Sequence, residues 1–533
     1  MVIKQGKQVN FAAYHWAFAS ARKTIKEHGV QDRYTCASGI TPSGTIHIGN
    51  FREIITVDLV TRAFRRMDLR ARHIHSWDDN DVFRKVPKNL PRQEMLREQL
   101  RKCIADIPDP FGEEESYAAK HMQDVEEAVA RVGIAPEFIR QSVKYRRCAY
   151  AEQMKEALEA TDVIRSILNE YRKEPLPETW LPVSVFCDRC KKDTITSLAY
   201  HGGYELSYVC ACGHEETFDF RKKGIAKLVW RVDWPMRWKY EDVHFEPGGK
   251  DHSTVGGSFD TGKQIVAEVW QGKAPSYQMY DFIRIKGGGG KISSSAGQVI
   301  TVQDCLEIYE PEVLRYLFTG TRPNAEFAIS FDADVIKIYE DFDRCERVYY
   351  RVDEANEKAY EKQKYIYEFS QVDEEVSKIP EQCPLQVGFR HLSTIVQIKD
   401  LDEESTYAFF KDRVKNRHDE LRLRTRISCV KHWLVKYADE QFRFKLKEKK
   451  DERFFSSLST AERESLSLLR EAVAAHQGAG ALETAIFSIP KKLGLDTGSF
   501  FKLCYRAIIG KEKGPKLAYF IEEIGRERIL SLL

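Results

Sequence analysis

Apolar residues along this chain change their spacing several times, and each change marks an element. Tyr34 to Ile40 is a short run of apolar, β-branched and small residues that closes on Gly39 and Ile40, the pattern of a buried strand. Ile48, Phe51, Ile54, Ile55, Val57, Leu59 and Val60 then recur at helical intervals, and Leu69 to Trp77 reads as a second strand. Strand, helix and strand make a βαβ unit, which predicts a right-handed crossover and a parallel sheet. Ahead of it, Phe11, Tyr14, Trp16, Phe18 and Ile25 predict a helix over 8–33. Amphipathic helices are predicted over 92–106, 117–132 and 146–172, and Pro175, Pro177 and Pro182 end that stretch. Tyr277 to Lys286 reads as the last strand of the sheet. Beyond about residue 330 helical periodicity dominates, over 332–363, 385–400 and from 405 to the end.

Composition narrows the class. At 533 residues the chain is too long for one core and predicts roughly three to five domains. A formal net charge of +2 provides no global basic field, so any contact with nucleic acid must use local patches. No apolar run reaches the ~18 residues of a membrane-spanning helix, and the polar start of the chain gives no secretory core. Twelve cysteines over this length do not make a dense disulfide framework, and reduced thiols in a cytoplasmic setting are expected.

The chemistry concentrates where the first strand meets the helix. Ser38 to Asn50 reads SGITPSGTIHIGN, a turn of glycine, proline and serine opening a helix. Backbone N–H groups at such a helix start favour a phosphate; His47 offers a ring N–H, and Gly49 leaves room for a nucleotide against the backbone. Far along the chain, Lys286 to Ser295 reads KGGGGKISSS and presents Lys291 with three hydroxyls. The acidic run starting at Asp78 follows the second strand and should face the same crevice, where it would draw in a cation, position Mg²⁺ or serve as a solvated turn. Trp230, Trp234 and Trp238 with Asp233 make an aromatic wall with a carboxylate, suited to an ammonium on an alkyl stem or to a core. Cys187 and Cys190 form a CxxC knuckle, and Cys210 with Cys212 form a second pair across a hairpin; together they predict a closed structural zinc site, in which His214 could replace one thiolate. Four buried thiols or two local redox pairs are the other readings. Residues 411–450 mix Lys and Arg with Trp433, Tyr437, Phe442 and Phe444, either a charged surface over an aromatic core or a platform for phosphates and unpaired bases.

His47-Ile48-Gly49-Asn50 resembles the HIGH signature of class I aminoacyl-tRNA synthetases, and Lys291-Ile292-Ser293-Ser294-Ser295 resembles their KMSKS signature, with Asn50 for the second histidine and Ser294 for the second lysine. More narrowly, SGITPSGTIHIGN, HIHSWDDNDVFRKVP, IPDPFGEEESYAAKHM, WRVDWPMRW, GKDHSTVGGSFDTG and GGGGKISSS resemble the class I lysyl-tRNA synthetase family, from about Ser38 to Arg322 and more loosely to the C-terminus.

The resemblance implies an α/β fold. A Rossmann-like parallel-sheet catalytic domain (halves at 1–106 and 227–300) would be split by an insertion at 107–226 that holds a zinc-ribbon-like part at 180–222. A connecting region at 301–365 and a helical anticodon-binding region at 366–533 would follow. It implies ATP, Mg²⁺, lysine and tRNA(Lys) as ligands, with no membrane; the oligomeric state stays open and is compatible with a monomer. His47, Asn50 and Lys291 are the implied catalytic residues. ATP would touch Pro42, Ser43, Gly44, His47, Gly49, Asn50, Gly249, Asp251, His252, Ile292, Ser293, Ser294 and Ser295. Lysine would touch Gly39, Thr41, Asp78, Trp230, Asp233, Trp234, His252 and Tyr280, and the metal Cys187, Cys190, Cys210 and Cys212. A class I synthetase for another amino acid, or an RNA-binding relative without the reaction, are the rival readings.

Overall fold

The computed structural model describes residues 14–286 and 299–533. β1 (Tyr34–Ile40) and β2 (Ala71–Trp77) pair in parallel along their full length, Tyr34 beside Ala71 through Ile40 beside Trp77. With β3 (Glu137–Arg140), β4 (Val243–Gly249) and β5 (Ser276–Tyr280) they form a five-stranded sheet in the order β5-β4-β1-β2-β3, every neighbouring pair parallel. The chain builds outward from β1 to β3, then returns to lay β4 and β5 on the other side of β1. The strand order therefore reverses between β1 and β4, and a ligand crevice opens beyond their C-terminal ends.

α2 (Ile48–Arg66) follows β1 and is buried on nearly every face. Its charged residues survive there because each has a partner. Arg52 donates to the carbonyls of Asp281 (2.7 Å) and Ala325 (2.6 Å). Asp58 lies between Arg62 (3.0 Å) and Arg315 (2.7 Å). Burial alone would raise the Asp58 carboxyl, but the two guanidinium groups hold it below its ordinary value.

Several expected elements are shorter than their periodicity suggests. The first helix, α1, runs Trp16–His28 and stops at Gly29, whose φ of 75° is the left-handed region; the expected residues 8–13 lie outside those described. The helix expected over 92–106 is a single turn and a half, Gln93–Glu98, followed by a 3-10 turn. The one expected over 146–172 is broken into Ala151–Glu159 and Thr161–Asn169. The expected strand from Tyr277 to Lys286 is two strands. Arg52 takes the carbonyls of Asp281 and Phe282, so the chain bends there, and Ile283–Lys286 leaves the sheet.

The cysteine-rich part is a three-stranded antiparallel ribbon of Ile195–Tyr200, Glu205–Cys210 and Glu215–Asp219. The chain folds as two compact units. One runs through Leu306 and includes Pro311–Ile329 and Val348–Ile379; the other comprises Glu307–Glu310, Ser330–Arg347 and Pro380–Leu533. The second is helical. Trp433, on the helix Arg417–Lys436, is fully buried against Phe389 (5.5 Å between rings) and donates to the Phe331 carbonyl (3.1 Å), so this residue is core and not a base-stacking platform. No helix among the described residues is long and apolar enough to cross a membrane.

Candidate active site

The crevice at the β1–β4 reversal holds a cavity of about 390 Å³. β1 and the turn after it contribute Gly39 and Thr41, β2 is followed by Asp78, and β4 contributes Glu246 and Gly248. α3 (Trp230–Tyr240) lays Trp230, Trp234 and Arg237 along it at helical spacing. Tyr280 closes one side, and His252 stacks on Trp230 (5.5 Å between rings). Burial lowers the His252 pKa, so its ring is neutral at pH 7.

Two acids inside this cavity went unnoticed in the sequence. Glu53, one and a half turns into α2, accepts from the Gly39 N–H (2.8 Å) and the Tyr280 hydroxyl (2.6 Å). Glu246 accepts from the indole N–H groups of Trp234 (2.9 Å) and Trp238 (2.7 Å). Neither carries an ion pair among the described residues. Burial pushes Glu53 up to about 8 against its two hydrogen bonds, and Glu246 to about 7 against its indole donors and Arg237. An acid amid Phe51, Ile54 and Ile55, or amid Val243, Phe245 and Pro247, was the signal available.

The two acids expected to meet lysine are otherwise engaged. Asp78 lines the cavity but pairs with Arg237 at 2.6 Å. Asp233 does not line it: it accepts from the Tyr145 hydroxyl and lies 3.2 Å from Arg237. Burial opposes the Arg237 charge, but Asp78 and Asp233 outweigh it and raise that pKa well above the ordinary range. Asp78 and Asp233 thus share one guanidinium, and Asp233 faces it from outside the residues lining the cavity.

His47 is the N-cap of α2. Its Nδ1 accepts from the Gly49 N–H (3.0 Å), and its own N–H donates to Asn50 Oδ1 (3.3 Å). With Nδ1 an acceptor, the neutral ring carries its proton on Nε2. A side chain at Gly49 would meet this ring at 2.7 Å, so the absence of one lets the His47 ring pack there. Pro42 and Gly44 are buried in the turn between β1 and α2, and Ser43 is exposed with its carbonyl accepting from Tyr117 (2.7 Å). Gly249 ends β4 and Asp251 lies in the 3-10 turn after it; neither is among the residues lining the cavity. Lys291, Ile292, Ser293, Ser294 and Ser295 lie outside the described residues. Nearby, the Ile48 N–H at the start of α2 donates to the Ile300 carbonyl (2.8 Å).

Away from the cavity, the sulfur atoms of Cys187, Cys190, Cys210 and Cys212 all lie within 4.8 Å of one another, with pairs at 3.7 and 3.6 Å. Four thiolates about 2.3 Å from a tetrahedral centre stand ~3.8 Å apart, so the cluster fits one metal ion. His214 is outside it, 3.6 Å from Glu216.

The model of the class I tRNA synthetases of the (K) type matches residues 14–373. This chain belongs to the class I lysyl-tRNA synthetase family. It is 48% identical to a lysine–tRNA ligase of Borreliella burgdorferi over 96% of this chain and 98% of the relative. Lysine–tRNA ligases of Treponema pallidum (45%, covering 97% and 98%) and Thermococcus kodakarensis (40%, covering 97% and 99%) are similar over the same extent.

Proposed function

We infer that this chain is a lysine–tRNA ligase, and that its cavity receives lysine through Glu53 and Glu246. The carrying observation is a cavity in which Glu53 and Glu246 accept from hydroxyl, amide and indole donors and have no ion pair among the described residues. A buried carboxylate without a cation is costly, and a substrate with two ammonium groups removes that cost at both. Tyr280 and Glu53 would hold one ammonium, while Trp230 and Trp234 flank the alkyl stem and add cation–π attraction. Gly39 and Thr41 would contact the amino acid's backbone groups.

In the first step a carboxylate oxygen of lysine attacks the α-phosphorus of ATP, forming lysyl-adenylate and releasing pyrophosphate. His47 Nε2–H would donate to the crowded phosphoryl group, and the start of α2 would favour its charge. Asn50 holds the His47 backbone and so acts as a positioning residue. Pro42, Ser43, Gly44, Gly49, Gly249, Asp251 and His252 would border the nucleotide, and Lys291 with Ile292, Ser293, Ser294 and Ser295 would meet the departing pyrophosphate, with Mg²⁺ adding charge. In the second step the terminal ribose hydroxyl of tRNA attacks the adenylate carbonyl and AMP leaves. Cys187, Cys190, Cys210 and Cys212 would hold zinc in a closed site, which staples the ribbon and does no chemistry. Charging of this kind belongs to the cytoplasm.

The test is aminoacylation of a total tRNA pool with each of the twenty amino acids. Lysine alone should be attached. Attachment of a different amino acid, or tRNA binding with no charging at all, would overturn the assignment.

A further inference from the structure

Asp81 lies shortly after the end of β2 and reaches the cavity only through a neighbour. Its Oδ1 accepts from the Lys227 ammonium (2.6 Å), and its Oδ2 accepts from the Thr41 hydroxyl (3.1 Å). Thr41 lines the cavity, whereas Asp81 is not among the lining residues. The carboxylate is fixed from both sides. On its own side, the Asp81 carbonyl accepts from the Ile104 N–H (2.9 Å), and Phe83 exchanges backbone hydrogen bonds with Arg101 (2.9 Å) and Lys102 (2.8 Å). On the other, Lys227 is buried on the strand Ala226–Leu228, which pairs antiparallel with Val183–Val185, and it also donates to the Asn80 carbonyl (3.2 Å).

Charge decides which way the Thr41 proton points. Burial would raise the Asp81 carboxyl, but the Lys227 ammonium and the hydrogen bonds from Lys227 and Thr41 hold it below its ordinary value. Burial likewise opposes the Lys227 charge, and Asp81 and Asp233 outweigh it. Asp81 is therefore ionised at pH 7, and an ionised carboxylate only accepts. The single proton of the Thr41 hydroxyl is committed to Asp81, so the hydroxyl turns lone pairs to the cavity. A group so oriented receives an ammonium and repels a carboxylate. Glu53 and Glu246 account for positive charge in the substrate but do not say which end of it lies at Thr41; the direction of this hydroxyl does.

We propose that Asp81 is a positioning residue for the amino acid: it orients the Thr41 hydroxyl as an acceptor, so that the α-ammonium of lysine, and not its α-carboxylate, lies against Thr41. Asp81 touches no substrate atom itself. The proposal rests on the lysine–tRNA ligase reading and adds to it the pose of the substrate.

Asp81→Asn is the deciding variant, because it keeps the shape and inverts the polarity. Lys227 holds the side-chain oxygen, which leaves the amide N–H₂ facing Thr41; the hydroxyl must then accept, and its proton turns to the cavity. Lysine affinity of the full-length protein, measured by calorimetry, should fall about 10- to 100-fold, the scale of a hydrogen bond to a charged group. In the Thr41→Val background, with no hydroxyl to orient, the same substitution should cost no more than about threefold. Inhibition of lysine charging by ε-aminocaproate, which lacks the α-ammonium, should change no more than about threefold in Asp81→Asn. Thr41→Val alone leaves the Asp81–Lys227 pair intact and should also weaken lysine while sparing ε-aminocaproate, so the pose is tested without relying on the folding of Asp81→Asn. An equal loss in both backgrounds, an equal loss for lysine and ε-aminocaproate, or unchanged lysine affinity would each overturn the proposal, the first by showing that Asp81 acts through its charge or through general loosening. Charging by the wild type is read separately. No lysine attached by the wild type removes the ligase reading, while lysine charging with an affinity that Asp81→Asn does not move removes only the role of Asp81.

Discussion

Buried acids occur in both units of this protein, and their company differs. In the helical unit Glu310, Asp343 and Glu346 surround Arg422 and Arg426: Arg426 holds both oxygens of Asp343 at 2.9 Å and bonds Glu310, and Arg422 holds Glu346 at 2.7 Å. Burial opposes the Arg426 charge, but Glu310 and Asp343 outweigh it and raise its pKa. In the catalytic unit Glu246 is buried and Glu53 partly so; both accept from hydroxyl, amide or indole donors and neither has an ion pair among the described residues. The first set is closed and holds helices together. The second is open and has a use only when a cation arrives from outside. Burial alone does not separate architecture from recognition; the presence of a built-in counter-charge does.

Breaking the closed set should have the larger effect on folding. Arg426→Met leaves Glu310 and Asp343 facing an apolar chain, and loss of one partner from such a cluster costs about 3–5 kcal/mol. Denaturant unfolding should show that loss in the helical unit, with lysine binding to the catalytic unit retained. Breaking the open set should do the reverse. Glu53→Gln removes the charge proposed to meet lysine, a cost of about 2–5 kcal/mol, or roughly 30- to 5000-fold in lysine affinity. The folded protein should not suffer. The Glu53 pKa is raised, so the protein without lysine loses stability as pH climbs from about 4.5 towards 8. Glutamine removes that loss, and the variant should melt higher than the wild type at pH 9.

His47 sharpens the same distinction inside one residue, because it caps α2 and is the residue proposed to face the nucleotide. His47→Ala should lower turnover about 10²- to 10³-fold, the usual effect of removing a transition-state donor, and cost ~1 kcal/mol of stability as the cap disappears. His47→Asn keeps a capping oxygen without the Nε2–H. It should recover the melting temperature and leave turnover low; recovery of both would reduce His47 to a structural role.

Much of the catalytic unit was legible because local pattern and tertiary environment agree there. β1 occupies the residues its pattern marks, α2 begins at the glycine-rich turn, and the spacing of four cysteines was enough to group them. The misses share one cause, which is that they depend on partners distant in sequence. The last strand divides at Asp281 because Arg52, 229 positions away, takes its carbonyl. Asp233 looked like a receptor for an ammonium because it sits among tryptophans, but on α3 the cavity face passes through Trp230, Trp234 and Arg237, and Asp233 falls beside it against Tyr145. Glu53 was invisible for the converse reason. An acid next to an arginine on a helix reads as solvated surface, and only the packing around α2 puts it in the dark.

The smallest effect gives the closest test of the open set, because it needs no mutation. In the empty cavity burial holds the Glu53 proton up to about pH 8, while a bound ammonium stabilises the carboxylate. Binding lysine at pH 6–7 must therefore expel a proton, and the observed affinity should rise with pH, by at most tenfold per unit (about 1.4 kcal/mol) for each proton released, levelling off near 8. Calorimetry in two buffers of different ionisation enthalpy should count more than one proton released at pH 6.5, nearly one from Glu53 and part of a second from Glu246, and fewer at pH 8.5. Glu246, near 7, adds to the release only at the lower end. In Glu53→Gln the slope should flatten even where weak binding can still be measured. A pH-independent affinity in the wild type would mean that Glu53 is already ionised before lysine arrives, and the contrast between the two sets of acids would then lose its physical basis.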